Sequence, residues 1–237
     1  MEVEDNEAPT ITCPAAITVN TDPGVCTATA PNPGTPTTTD NCGVSGVSNN
    51  APSVFPVGPR VVVYTVTDAS GNTRSCTQNV LVRDNEAPVI ACADTLVVST
   101  DPASCFAFGV TLPAPNTTDN CSTVNVTNNA PVQLPLGISN VTFTATDQSG
   151  NSATCALVIR VKDNELPTII CPNNVSVNTL QGLCYATTVQ LGVAQANDNC
   201  PNLVVTNNAP ILYPLGSTNL TYTVTDAGGN TATCITI

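Results

Sequence analysis

The sequence predicts an all-β chain: three tandem Greek-key β-sandwiches following one another in a rod-like array. Three observations carry this. Cysteines recur with a period of 79 residues without insertion or deletion, as at Cys13, Cys92 and Cys171. Short β-branched runs alternate with Pro, Gly, Asn and Asp turns. No stretch shows the apolar periodicity of an amphipathic helix.

Within the first copy, Ile11-Thr12-Cys13 and Ile17-Thr18-Val19 alternate apolar and polar residues. Asp22-Pro23-Gly24 and the stretch from Pro31 to Pro36 read as turn and loop. Val61 to Val66 is a β-branched strand, Ser70-Gly71-Asn72 a tight turn, and Val80-Leu81-Val82 the closing strand. About seven strands in some 80 residues, with turns every 8–12, fit a Greek-key sandwich. The other copies keep the landmarks. Asp5-Asn6-Glu7-Ala8-Pro9 returns at Asp84 and Asp163, Asp40-Asn41-Cys42 at Asp119 and Asp198, and Thr67-Asp68 through Asn72 at Thr146 and Thr225. The repeats are read as 5–83, 84–162 and 163–237, with 1–4 as a terminal strand segment.

The 237 residues carry a net charge of −12 and only five basic side chains, so no basic face for nucleic acid can be built. The same deficit disfavours an anionic membrane surface, and no apolar run is long enough to insert in a membrane. Met1-Glu2-Val3-Glu4-Asp5 is not a secretion signal, and the chain is read as a mature product or a fragment. There is no His and a single Lys, so serines and cysteines lack the usual base. An enzyme is not expected. A carbohydrate-binding accessory module would need exposed aromatics, and there is no Trp.

The succession I-x-C-P, a second Cys, D-N-C, P-x-G and Y-T-x-T-D-x-S-G-N-x-x-x-C resembles the hyalin repeat (HYR) family over essentially the whole chain, three times. The resemblance implies an immunoglobulin-like fold, an extracellular or cell-surface location, and adhesion or scaffolding without catalysis.

Twelve cysteines with no His and no close pairs point to disulfides in an oxidising compartment and away from zinc. Four fall in each copy: Cys13, Cys26, Cys42 and Cys76; Cys92, Cys105, Cys121 and Cys155; Cys171, Cys184, Cys200 and Cys234. The register makes each set self-contained. Two disulfides within each repeat are expected, in any of three pairings that the sequence leaves open.

In such a sandwich the linker, the B–C loop and the F–G loop meet at one pole. They carry Asp5, Glu7, Asp40 and Asp68 in the first copy, Asp84, Glu86, Asp119 and Asp147 in the second, and Asp163, Glu165, Asp198 and Asp226 in the third. Clustered carboxylates beside a domain junction suit calcium, which takes six to eight oxygens. The same residue types also cap turns through local backbone bonds. Sequons at Asn116, Asn120, Asn125, Asn140, Asn174 and Asn219, with Thr37 and Thr38 in a Pro/Thr stretch, are glycosylation candidates. Tyr64, Phe143 and Tyr222 share one position and are read as core anchors.

The third copy stops at Ile237 inside its last strand. The positions that would complete it correspond, at the period, to Met1-Glu2-Val3-Glu4. Met1 aligns with Val80 and Ile159, and Val3 with Val82 and Val161. Met1 and Val3 of one chain, beside Ile235 and Ile237 of another, have the alternation for strand addition at an open edge. The expected function is therefore a protomer of a surface filament, self-associating head to tail by strand complementation. The alternative is a stalk segment of a longer repetitive cell-surface adhesin.

Overall fold

The computed structural model describes Met1 and residues 3–237; Glu2, part of the proposed terminal strand, lies outside the described residues. All regular structure among the described residues is β. By internal packing the chain divides into two compact units. Unit 1 is Met1–Ala91, Pro115–Thr127 and Thr144–Cys155; unit 2 is Cys92–Ala114, Asn128–Phe143 and Ala156–Ile237. Repeat 2 therefore contributes segments to both.

Repeat 1 contains β1 (Thr10–Thr12), β2 (Ile17–Asn20), β3 (Thr27–Thr29), β4 (Thr37–Thr39), β5 (Val44–Asn49), β6 (Val54–Pro56), β7 (Gly58–Asp68) and β8 (Thr73–Arg83). Its main sheet has the order β2-β8-β7-β5, flanked by the small pairs β1-β4 and β3-β6. The long hairpin β7-β8 supplies the core. Val62, Tyr64 and Val66 alternate inward on β7, Val80 and Val82 on β8, and all are at most 1% exposed. Phe55 and Ala28 close the cluster from the small sheet, with Ile17 and Val19 of β2 packed against it. Tyr64 is indeed a core anchor, and burial pushes its phenol up from its ordinary value.

The end of β8 is held on both sides. β2 runs parallel to it (Ile17↔Val80, Val19↔Val82), and the start of β7 runs antiparallel (Gly58↔Val82, Arg60↔Val80).

Repeat 2 carries β9 (Val89–Ala91), β10 (Thr95–Ser99), β11 (Phe106–Phe108), β12 (Asn116–Thr118), β13 (Asn125–Asn128), β14 (Gln133–Pro135), β15 (Gly137–Thr146) and β16 (Ser152–Lys162). Its main sheet, β10-β16-β15-β13, repeats the order seen in repeat 1. Here β10 pairs in parallel with β16 from Thr95↔Val158 to Ser99↔Lys162.

Repeat 3 departs from the pattern. It has β17 (Thr168–Ile170), β18 (Tyr185–Ala186), β19 (Gln195–Asn197), β20 (Val204–Asn207), β21 (Tyr213–Pro214), β22 (Leu220–Thr225) and β23 (Thr231–Thr236). Its main sheet is only β20-β22-β23. Residues 174–178, the counterpart of β2, form no strand.

Candidate functional site

Two kinds of site emerge: an acidic cluster repeated along the chain, and an open groove in repeat 3.

The clusters are built by two local motifs. In T-D-x-x-G-N, Asp68 Oδ1 accepts the amides of Ser70 and Asn72 at 2.9 and 2.8 Å, and Gly71 takes the left-handed backbone that the turn requires, φ 92°. Burial alone would push the Asp68 carboxyl up, but these bonds, with the Asn72 side chain, outweigh it and hold the carboxyl below its ordinary value. Asn72 Nδ2 then reaches from Asp68 Oδ2 (2.8 Å) to the carbonyl of Asp5 (3.0 Å), pinning the linker to the turn. Asn151 with Asp84, and Asn230 with Asp163, repeat the clamp. In D-N-C, Asp40, Asp119 and Asp198 each accept the amide of the cysteine two residues on.

Asp5, Asp40 and Asp68 thus converge, as do Asp84, Asp119 and Asp147, with ligand atoms of each set within 4.8 Å of one another. In repeat 3 the convergent group is Asp163, Asp198 and Cys200, and that sulfur is already in a disulfide. Asp226 holds Asn230 as Asp68 holds Asn72. Several of these oxygens are buried with no hydrogen-bond partner: Asp5 Oδ2, Asp40 Oδ1, Asp84 Oδ2, Asp119 Oδ1 and Asp163 Oδ2. Buried carboxylate oxygens normally have partners, and an all-oxygen set of this kind fits a hard cation such as calcium.

The glutamates of the linkers are not in these groups. Glu86 Oε2 accepts the amide of Gly24 at 2.8 Å, and Glu165 Oε1 that of Ala103 at 3.0 Å. They engage the preceding repeat, while their own amides close Asx turns on Oδ1 of Asp84 and Asp163. Glu7 sits in the same turn, on Asp5.

The cysteine pairing corrects the sequence expectation. Cys13–Cys76 and Cys171–Cys234 close within a repeat, and Cys92 and Cys155 are also disulfide-bonded. Cys26–Cys121 and Cys105–Cys200, however, link successive repeats across a separation of 95 residues, with Cα–Cα distances of 4.5 and 4.8 Å. Cys42 and Cys184 are free and exposed. A constant period says which cysteines are equivalent, not whether a partner lies in the same copy or the next. The physical cause is the turn carrying the second cysteine, which lies against the D-N-C loop of the following repeat. Asn120 Nδ2 donates to the Val25 carbonyl at 3.2 Å, and Asn199 Nδ2 to that of Ser104 at 2.9 Å. The Cys42 thiol is held above its ordinary value, first by its hydrogen bond to the Asp5 carboxylate and then by that group's charge.

Among the sequons, Asn116, Asn125, Asn140, Asn174 and Asn219 are exposed, as is Thr37, with Thr38 half-buried. Asn120 is not free: its amide nitrogen bonds Val25 and its oxygen is buried. Asn174 Oδ1 accepts the Ile237 amide at 3.1 Å.

The groove lies in unit 2, a cavity of about 310 Å³ lined by residues 172–177, by residues 213–218, and by Leu220, Tyr222, Thr236 and Ile237 among others. Its walls are the counterparts of β2 and of the start of β7. Ile17 and Val19, or Leu96 and Val98, are half-buried, but the equivalent Val175 and Val177 are 39% and 50% exposed. Leu215, equivalent to half-buried Val57, is 77% exposed. No pattern in the sequence marks these residues as a site; the shortness of the last strand of repeat 3 points to them. Met1 and Val3 are fully exposed in their own chain, and Ile235 and Ile237 are exposed beside the groove.

The architecture is that of a tandem β-sandwich repeat protein stapled by disulfides. The chain belongs to the HYR domain family, whose description matches residues 4–82, 83–161 and 162–237. It is 33% identical over 209 residues to hyalin of Lytechinus variegatus, covering 83% of this chain and 39% of that protein. It is 34% identical over 184 residues to the sushi, von Willebrand factor type A, EGF and pentraxin domain-containing protein 1 of Rattus norvegicus, covering 72% of this chain and 5% of that protein. The chain therefore spans well under half the length of these relatives. Among solved structures, mouse cadherin-23 EC22-24 aligns over 98% of this chain and 97% of its own, at 14% identity and a TM-score of 0.41. Family and disulfides together place the chain outside the cytoplasm, extracellular or at the cell surface. No helix among the described residues is long and apolar enough to cross a membrane.

Proposed function

We propose that this chain is an extracellular structural protein of the adhesion-associated repeat type, without catalytic activity, whose copies join head to tail by strand complementation. The observation that carries the reading is the groove in repeat 3. It is open where repeats 1 and 2 seat the ends of β8 and β16, and Met1 and Val3 supply the matching alternation. In the complete repeats the corresponding Val80, Ile159, Val82 and Val161 are at most 2% exposed. An inserted strand finds a parallel partner at residues 175–178 and an antiparallel one at 216–218, the two-sided pairing that β8 already shows. A contact of this head-to-tail kind grows into an open filament unless its rotation closes a ring.

The test is negative-stain electron microscopy of the chain beside a variant lacking residues 1–4. Filaments from the first and none from the second support the reading. Discrete particles in both samples overturn it and favour the stalk segment of a longer adhesin, whose own continuation would fill the groove.

A second reading is favoured by the unpartnered carboxylate oxygens. Calcium bound by Asp84, Asp119 and Asp147, and by Asp5, Asp40 and Asp68, would stiffen the turns that the Asn clamps already draw together. The expected result is a calcium-dependent rise in melting temperature that is reduced by Asp119→Asn, a change that keeps the amide-accepting oxygen but removes a charge. An unchanged melting temperature across a calcium titration would sink the idea.

A further inference from the structure

We infer that Cys184 of one copy and Cys42 of the next form an intermolecular disulfide, so that the filament is covalently continuous. The inference rests on the head-to-tail reading above and adds a cross-link to it.

The two free cysteines are not isolated features, because both halves of their bond are built twice within the chain. Cys26–Cys121 and Cys105–Cys200 each join the second cysteine of one repeat to the third cysteine of the next. Cys184 is the second cysteine of the last repeat, and Cys42 the third cysteine of the first. If a second copy continues the period, Cys42 stands to Cys184 as Cys121 stands to Cys26. The same shift carries Met1 and Val3 onto the vacant strand positions, so one displacement satisfies both sites.

The supporting contacts are preformed. The turn before Cys26 is closed by Val25 N donating to Asp22 O (3.2 Å), the turn before Cys105 by Ser104 N to Asp101 O (3.1 Å), and the turn before Cys184 by Leu183 N to Leu180 O (2.9 Å). The left-handed residue in these turns has φ 74° at Gly24, 57° at Ala103 and 76° at Gly182. Gly24 and Ala103 donate their amides to Glu86 and Glu165. Gly182 presents the same amide, and Glu7 is the acceptor at the matching place in the next copy. Asn41 likewise stands where Asn120 and Asn199 reach the preceding turn.

In the chemical step, two thiols lose two protons and two electrons to form one S–S bond. A small-molecule disulfide such as oxidised glutathione accepts them and is cleaved to two thiols, by exchange through a mixed disulfide. An extracellular location supplies such oxidising conditions.

The experiment incubates the chain with a glutathione redox buffer and reads three things: non-reducing electrophoresis, peptide mass spectrometry and negative-stain microscopy. The expected result is a ladder of covalent oligomers that collapses on reduction and contains a Cys42–Cys184 peptide. Cys42→Ser alone and Cys184→Ser alone should each lose every band above the monomer, while an equal mixture of the two should regain a dimer and nothing larger. Filaments with no ladder, and both thiols still open to alkylation, would overturn the cross-link and leave strand complementation standing. A dimer from either single variant would overturn the pairing. Filaments that persist in Cys184→Ser while the wild-type ladder forms would show the strand and the disulfide acting separately, in support of both. Neither filaments nor ladder would overturn both together.

Discussion

Repeats 1 and 3 share a sequence plan and an internal disulfide of the same span, 63 residues, yet their sheets differ. In repeat 1 the last strand is eleven residues long and has β2 on one side and β7 on the other. In repeat 3 it is six residues long, and its ladder partner among the described residues is β22. Just beyond it a single backbone bond, Val175 N to Ile237 O at 3.0 Å, reaches the counterpart of β2. The difference extends beyond the last strand. Ile17-Thr18-Val19 is a strand, while Val175-Ser176-Val177 has the same alternation and is not. β7 begins at Gly58, but its counterpart β22 begins only at Leu220. Local pattern makes a segment able to be a strand; a hydrogen-bonding partner makes it one.

The largest expected effect comes from erasing this difference. Appending the sequence of Val80–Arg83 after Ile237 should let repeat 3 complete its own sheet. Burying two apolar side chains is worth roughly 1.5–3 kcal/mol each, so repeat 3 should gain about 3–6 kcal/mol against urea, and filaments should disappear. An appended chain that still polymerises would show that the groove is not the acceptor.

The second effect sharpens the comparison. Replacing both cysteines of Cys13–Cys76, or both of Cys171–Cys234, opens loops of equal span. The loop-entropy estimate then gives the same loss for each, about 4 kcal/mol. Repeat 3 starts with the smaller sheet, so the Cys171→Ala, Cys234→Ala variant should unfold at the lower denaturant concentration. Coincident midpoints would mean that the missing strand contributes little.

Much of this was legible from residues alone, and the failures have a common cause. The periodic Cys, D-N-C and T-D-x-x-G-N positions predicted the repeats, the sandwich class and the meeting of Asp5, Asp40 and Asp68, because each depends on local turn chemistry. The pairing of Cys26 with Cys121 was not legible. It depends on how one repeat's turn meets the next repeat's loop, and a perfect period is silent on that offset. The glutamates were misplaced for the same reason: Glu86 serves Gly24 of the preceding repeat rather than its own carboxylate cluster. The groove was visible only as a strand that stopped early, since the exposure of Val175 and Val177 follows from a partner outside their own segment.

The smallest effect concerns one inward position on the last strand, which the three repeats fill differently. Repeat 1 has Gln78, 1% exposed, donating through Nε2 to the carbonyls of Ala15 (2.6 Å) and Pro33 (2.7 Å). Repeat 2 has Leu157, and the Ala15-equivalent carbonyl of Asp94 instead accepts the Val158 amide at 3.4 Å. Repeat 3 has Thr236, whose hydroxyl donates to the Pro172 carbonyl at 3.1 Å and lies 3.0 Å from Asn174 Oδ1. Gln78→Leu strands two carbonyls and should cost about 1–3 kcal/mol. Thr236→Val keeps the shape and removes one hydroxyl, so its cost to stability should be nearer 0.5–1.5 kcal/mol, the usual net worth of one hydrogen bond. Its effect on assembly should be out of proportion, because Pro172 to Asn174 leads directly into the wall that must receive the strand. Amide exchange should quicken across residues 174–178 in Thr236→Val, and filaments should form more slowly. Unchanged exchange there, with normal filaments, would show that the wall is held by the incoming strand rather than by Thr236.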